Sequence, residues 1–366
     1  MKKFPLILSL ILIISLLAGC AGTPVVYYTN CTCPADAHDD AVADVPMTIP
    51  SHNETPAFAE GALKTGLAIS TSLKKSANAT ADAEGAADYD VTMVAVLVDD
   101  NGVIQSCIID GIASSVKFDA TGAITTDLTA GPQTKNELGE NYGMVAWGGA
   151  VAEWDAQAKA LADFAVGKTV EELRSGAVSE SGYAPEGTDL ASQATIYLGG
   201  YVNTIEAAVA NAKHLGAQAG DVLKMATATK IDSSKAADAE NAGNAQLDVD
   251  VVALTMNGDV ITSCYLDSVQ AKVAFDAAGN VTSDTSAPVA TKNELGANYG
   301  MVAWGGAIAE WDAQAASFAA YVTGKTAEEV AGINITEATK PADADLAASV
   351  TISVIGFMNL ITKAAK

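Results

Sequence analysis

The chain has 366 residues, about two domains' worth at roughly 100–200 residues each. Lys and Arg total 20 against 44 Asp and Glu, a net charge of −24 with Arg174 the sole arginine, which excludes nucleic-acid binding through a basic surface. Hydrophobic residues at 49 % against 17 % charged imply a buried core; three His without HExxH spacing exclude zinc-hydrolase chemistry, and five Cys are too few for a disulfide scaffold.

Lys2 and Lys3 precede an apolar run from Phe4 to Leu17. The run is shorter than the ~20 residues of a membrane span, so residues 1–19 read as a signal peptide. It ends in Leu17-Ala18-Gly19-Cys20, which resembles the bacterial lipoprotein lipobox. The resemblance implies a diacylglycerol thioether and fatty acylation (palmitate or its like) on Cys20. It also implies a mature chain anchored at the extracytoplasmic face of the cell membrane. Two or more acyl chains hold a protein stably, at about 0.8 kcal/mol per buried CH₂. The alternative is an ordinary signal peptide with an incidental Cys. Cleavage removes Lys2 and Lys3 and takes the net charge from −24 to −26.

Residues 20–60 carry Pro24, Pro34, Pro46, Pro50 and Pro56 and no lasting period, as a flexible tether does. Such a tether would hold a globular body roughly 30–40 Å from the lipid. Cys31, Cys33 and His38 lie in it, and read as a linker disulfide or free thiols before a metal site.

The remainder is one unit written twice. Thr134–Lys168 and Thr291–Lys325 share 26 of 35 residues at a constant offset of 157. The period is too long for a solenoid repeat, so two tandem homologous domains are expected, 61–216 and 217–366. Val91 to Val98, a turn at Asn101-Gly102, and Val103 to Asp110 predict a hairpin. Ser115 to Asp119 and Ile124 to Asp127 flank a second turn at Gly122, which predicts an antiparallel meander. Copy two repeats it around Gly258 and Gly279. A helical face through Ala150, Trp154, Ala158, Leu161 and Ala165 follows, then a capping box at Thr169 and Glu172. Ala194–Leu198 reads as a short strand and Tyr201 to Ala212 as a closing helix. The fold class is α+β, each domain an antiparallel sheet with helices packed on one side. Cys107 and Cys264, amid Ile and Val, read as core.

No Ser/His/Asp set, phosphate loop or GxGxxG is present. Trp147-Gly148-Gly149, repeated at Trp304, is a weak anion-site signal. Together with Tyr142 and Tyr299 these tryptophans form either an aromatic wall or, at this spacing, core. The segments Asp189-Leu190-Ala191-Ser192-Gln193-Ala194-Thr195 and Asp345 to Thr351 resemble the acceptor motif of the FMN-binding domain family. That family includes flavinylated lipoproteins of extracellular electron transfer. The resemblance implies FMN joined through its phosphate to Thr195 and Thr351 by a flavin transferase. It implies Asp189, Ser192 and Asp345 in support, Tyr142, Trp147, Tyr299 and Trp304 near the ring, and a redox partner at the membrane. Gln193, Ala348, Ser349 and Val350 depart from the pattern. The expected function is thus electron transfer by a lipid-anchored flavoprotein. The alternative is a non-enzymatic ligand-binding or structural surface lipoprotein.

Overall fold

The β-branched runs fold as long strands. In the computed structural model, which describes residues 61–366, β1 (Lys64–Ser72), β2 (Gly85–Val98) and β3 (Ile104–Phe118) form an antiparallel sheet in that order. Six helices follow: α1 (Lys135–Leu138), α2 (Met144–Gly148), α3 (Trp154–Ala165), α4 (Val170–Ala177), α5 (Asp189–Gln193) and α6 (Gly199–Ala210). The second copy repeats the series as β4 (Val222–Lys230), β5 (Gly243–Asn257) and β6 (Val260–Phe275). Its helices are α7 (Lys292–Leu295), α8 (Met301–Gly305), α9 (Trp311–Val322), α10 (Ala327–Ala331), α11 (Ala344–Ala347) and α12 (Ile355–Ala364). The class is α+β. The signal peptide, Cys20, Cys31, Cys33, His38 and the tether lie outside the described residues.

Local chemistry sets the turns. Asp99 Oδ1 accepts from the N–H groups of Asn101 and Val103, both at 2.9 Å, and Gly102 takes φ +80°. The capping box at Thr169 and Glu172 forms as expected. The structure corrects four local expectations. Ser115–Phe118 continues β3, and beyond it only one bridge forms, Phe118 to Ile124, so the meander lacks its last strand. The sheet is completed instead by β1 and β4, which carry no clear period. Gly66 sits mid-strand in β1 because a Cβ there would meet Ala208 O at 2.1 Å, where α6 closes on the sheet. The helix through Ala158 starts at Trp154, not Ala150. Ala194–Leu198 is a connection between α5 and α6, not a strand.

Each sheet buries both faces. Outward, Val94, Val96, Ile104 and Ile109 meet Trp154, Leu161 and Ile205 of the helices and Leu198 just before α6; Val252, Leu254 and Leu266 meet Trp311, Phe318 and Leu360 likewise. Inward, the sheets face each other through Tyr89, Val91, Met93 and Ile112 on one side and Val249, Val251 and Val269 on the other. The result is four layers: helices, sheet, sheet, helices. At its centre the Phe118 and Phe275 rings stack with centroids 4.0 Å apart and planes 1° from parallel. The contacts beside this stack are reciprocal. Ala79 N–H donates to Gly279 O at 2.8 Å, and Ala237 N–H to Gly122 O at 2.9 Å. Both glycines have positive φ, and a Cβ on either would clash with the facing alanine. Burying apolar area at about 25 cal/mol per Å² makes this shared layer a principal source of stability.

Candidate functional site

The most nearly identical part of the repeats, Thr134–Ala150 against Thr291–Ala307, differs at one position, Glu140 against Ala297. It folds the same way twice. Thr134 and Glu137 form a capping box on α1, as Thr291 and Glu294 do on α7. A buried Asp anchors each helix start: Asp110 Oδ1 accepts from Asn136 N–H at 3.1 Å, Asp267 Oδ1 from Asn293 N–H at 3.2 Å. Burial raises both carboxyl pKa values, that of Asp267 to about 6. Lys135 lies over the rings of Tyr142, at 5.5 Å, and Trp154, at 4.8 Å; Lys292 does so over Tyr299, at 5.3 Å, and Trp311, at 4.9 Å. Burial lowers the pKa of both lysines. Tyr142 and Tyr299 thus serve as ammonium partners. Among the described residues they make no ring contact with Trp147 or Trp304.

Next comes a projecting knuckle. Glu153 accepts from the first two N–H groups of α2, Met144 at 2.8 Å and Val145 at 3.0 Å. Glu310 does the same for α8 at the same distances. These carboxylates occupy the helix starts, whereas Gly148-Gly149 and Gly305-Gly306 end α2 and α8; the Gly-Gly segment is a helix end, not the helix start that the anion-site reading needs. Gly143 and Gly300 take positive φ, and a Cβ on either would meet the Trp147 or Trp304 ring at 2.4 Å. Each indole therefore rests on a glycine and presents the rest of itself outward. Trp147 is 90 % exposed and Trp304 91 %, against the expectation of core. Val145 and Val151, and Val302 and Ile308, are exposed beside them.

The flavin-motif residues pack against α3. Asp189 opens α5, and Ser192 Oγ donates to Asp189 O at 2.6 Å. Thr195 is exposed, and its N–H donates to Gln157 Oε1 at 2.8 Å while its hydroxyl lies 3.3 Å from the same oxygen. Thr351, half-buried, pairs with Gln314 in the same way at 2.8 and 3.2 Å. Gln157 and Gln314 are fully buried, and each donates onward to a carbonyl, Ala152 O or Ala309 O, at 2.7 Å. Asp345 lies in α11, whose start Asp343 caps. No hydrogen bond or ring contact joins Thr195 to the Trp147 knuckle among the described residues. Sequence reasoning missed the two glutamines; a polar residue repeated on an otherwise apolar helix face was the available signal.

No protein-family model, curated protein or solved structure matches this chain. Its function is argued from its own geometry. Burial raises the thiols of Cys107 and Cys264 to about 12, which does not suit a nucleophile; Cys264 is core as expected, while Cys107 is half-buried at the surface. Beside each thiol a groove runs between strand and long helix. In copy one the Lys159–Asp163 pair, at 2.5 Å, lies at the groove of about 320 Å³. In copy two Ala316 and Ala320 replace them and the groove is about 450 Å³. Among the described residues no group of three or more His, Cys, Asp or Glu could hold a metal, and no helix is long and apolar enough to cross a membrane.

Proposed function

We propose that the chain is a lipid-anchored, extracytoplasmic binding protein that engages its partner through two Trp-tipped knuckles. One observation carries this. Where the copies differ, they differ even in the core: Leu161 against Phe318, both fully buried. Where they agree at 16 of 17 positions, they keep a Trp that the fold leaves about nine-tenths exposed. Packing does not require an exposed indole; a contact outside the chain does. Two equal contacts on one body give avidity without tight single sites. Envelope-fraction binding tests the reading, with Trp147→Ala, Trp304→Ala and the double variant. Each single variant should lose more than half of the binding and the double nearly all, with unfolding midpoints unchanged. Wild-type binding by a folded double variant would refute it. Anchoring is tested separately: Cys20→Ser should release the protein or leave its precursor uncleaved.

A second reading, FMN carried for electron transfer, rests on the exposed Thr195 hydroxyl and the motif around it. FMN would supply the redox chemistry, and Gln157 would fix the acceptor loop. Co-expression with a flavin transferase should then give absorbance at about 450 nm that Thr195→Val removes. Thr195 should be modified before Thr351, which is less exposed and follows the β-branched Val350. An unmodified mass under those conditions would rule the reading out.

A further inference from the structure

The same Trp opens the long helix of each repeat, but its ring nitrogen meets different surroundings. In repeat one Trp154 Nε1 donates to Tyr201 Oη at 3.0 Å. In repeat two Phe357 stands where Tyr201 does, its ring edge-on to Trp311 with centroids 5.8 Å apart, and it brings no acceptor. Trp311 is 5 % exposed, yet its N–H has no hydrogen-bond partner among the described residues. The N–H is solvent-accessible at the one side where Trp311 borders a cavity, so a ligand there can reach it.

Trp311 lines a cavity of about 440 Å³ between α12 and the sheet of repeat two. Lys230, Lys292, Asn359 and Lys363 line it too, and Asp250 is its one carboxylate. The hydrogen-bond balance is one-sided. Asp250 already accepts from Ser268 Oγ at 2.7 Å. Lys363 is engaged by Glu137 and by Thr227 O. Lys292 has the two aromatic rings described above but no hydrogen bond, and the side chains of Lys230 and Asn359 make none among the described residues. The first turn of α12 also borders the cavity, without a side-chain cap. Unused donors thus converge on one space, in a chain with 20 basic against 44 acidic residues. Repeat one has Ser72, Thr92 and Ala207 where repeat two has Lys230, Asp250 and Lys363.

We propose that this cavity binds a small organic anion, its acidic group hydrogen-bonded by Trp311 Nε1 and the Lys292 ammonium. Its volume falls in the range of small-molecule sites, roughly 300–1,000 Å³. Carboxylate and phosphate share the required chemistry, so the test uses one of each. The site belongs to repeat two alone and does not depend on the knuckles.

The experiment follows the four indole N–H resonances of the ¹⁵N-labelled protein, that of Trp311 assigned with W311F. Phenyl phosphate, benzoate and uncharged phenol are titrated in turn. The Trp311 resonance should shift saturably with at least one anion and not with phenol. F357Y returns the hydroxyl that repeat one has, and should weaken the anion about tenfold or more while the protein stays folded. K230A, at an exposed position, should weaken it severalfold and carries the test if F357Y folds poorly. The stronger of the two anions tells carboxylate from phosphate. No saturable shift with either, an equal response to phenol, or undiminished affinity in folded F357Y or in K230A overturns the proposal.

Discussion

Asp267 offers a test of the buried anchor beneath α7. It is 5 % exposed, and its Oδ1 accepts from the N–H groups of Ser268 at 2.7 Å and Asn293 at 3.2 Å. Burial outweighs these bonds and raises its pKa from 3.8 to about 6. Between those values the folded chain holds a proton that the unfolded chain has already lost. The folded state therefore binds more protons, and stability falls as pH rises through that window. At about 1.4 kcal/mol per pH unit, the loss at neutral pH is about 3 kcal/mol. Asp267→Asn keeps the accepting oxygen and removes the charge, so at pH 7 it should stabilise the protein by about 1–3 kcal/mol. Urea unfolding of both proteins across the window is the assay. The other carboxylates cancel in the difference, which should be near its minimum at the acid end and grow as pH rises. A pH-independent difference, or a variant less stable at pH 7, would refute the argument that an ionised carboxylate is buried there at net cost.

Removing half of the central ring stack, with Phe275→Ala, should cost about 3–5 kcal/mol, measured by the same unfolding assay. A fragment of residues 61–216 would bare the face around Val91, Met93 and Phe118; it should self-associate through it, which sedimentation would detect as a dimer. Gln157→Leu leaves the Thr195 and Ile196 N–H groups without their acceptor; it should cost about 1–3 kcal/mol and speed amide exchange at those two residues.

What was legible in the sequence was local. The Asp99–Gly102 turn and the Thr169–Glu172 box each close within four residues, so residue type alone decides them. The duplication was legible because it needs no geometry at all. Long-range pairings were not. The partner of Thr195 is a glutamine 38 residues away, and the ladder that a strand at Ala194–Leu198 would need is replaced by that single side chain. β1 was hidden by Gly66, which weakens a strand signal but is required by the closeness of Ala208. The run from Val91 to Val98 carried the clue to the inter-sheet layer, since an unbroken apolar strand reads as covered on both faces. Trp147 stands clear of both the wall and the core that its spacing allows; an exposed indole is rare, which is why its exposure is informative.

The reciprocal layer between the sheets has the logic of an isologous dimer interface built within one chain. In an association of separate identical chains, every substitution appears on both sides of the axis and dilution dissolves the pair. Here the connection near residue 216 makes the pairing independent of concentration, and each half can change without changing the other. The seam must stay matched: Phe118 with Phe275, Ala79 with Gly279, Ala237 with Gly122, and the cross-repeat hydrogen bonds of Thr65 with Ser263 and Thr229 with Pro132. Away from the seam the halves are free to specialise, as Tyr201 and Phe357 or Lys159 and Ala316 already have, so the chain holds two matching Trp-tipped knuckles on bodies with different interiors.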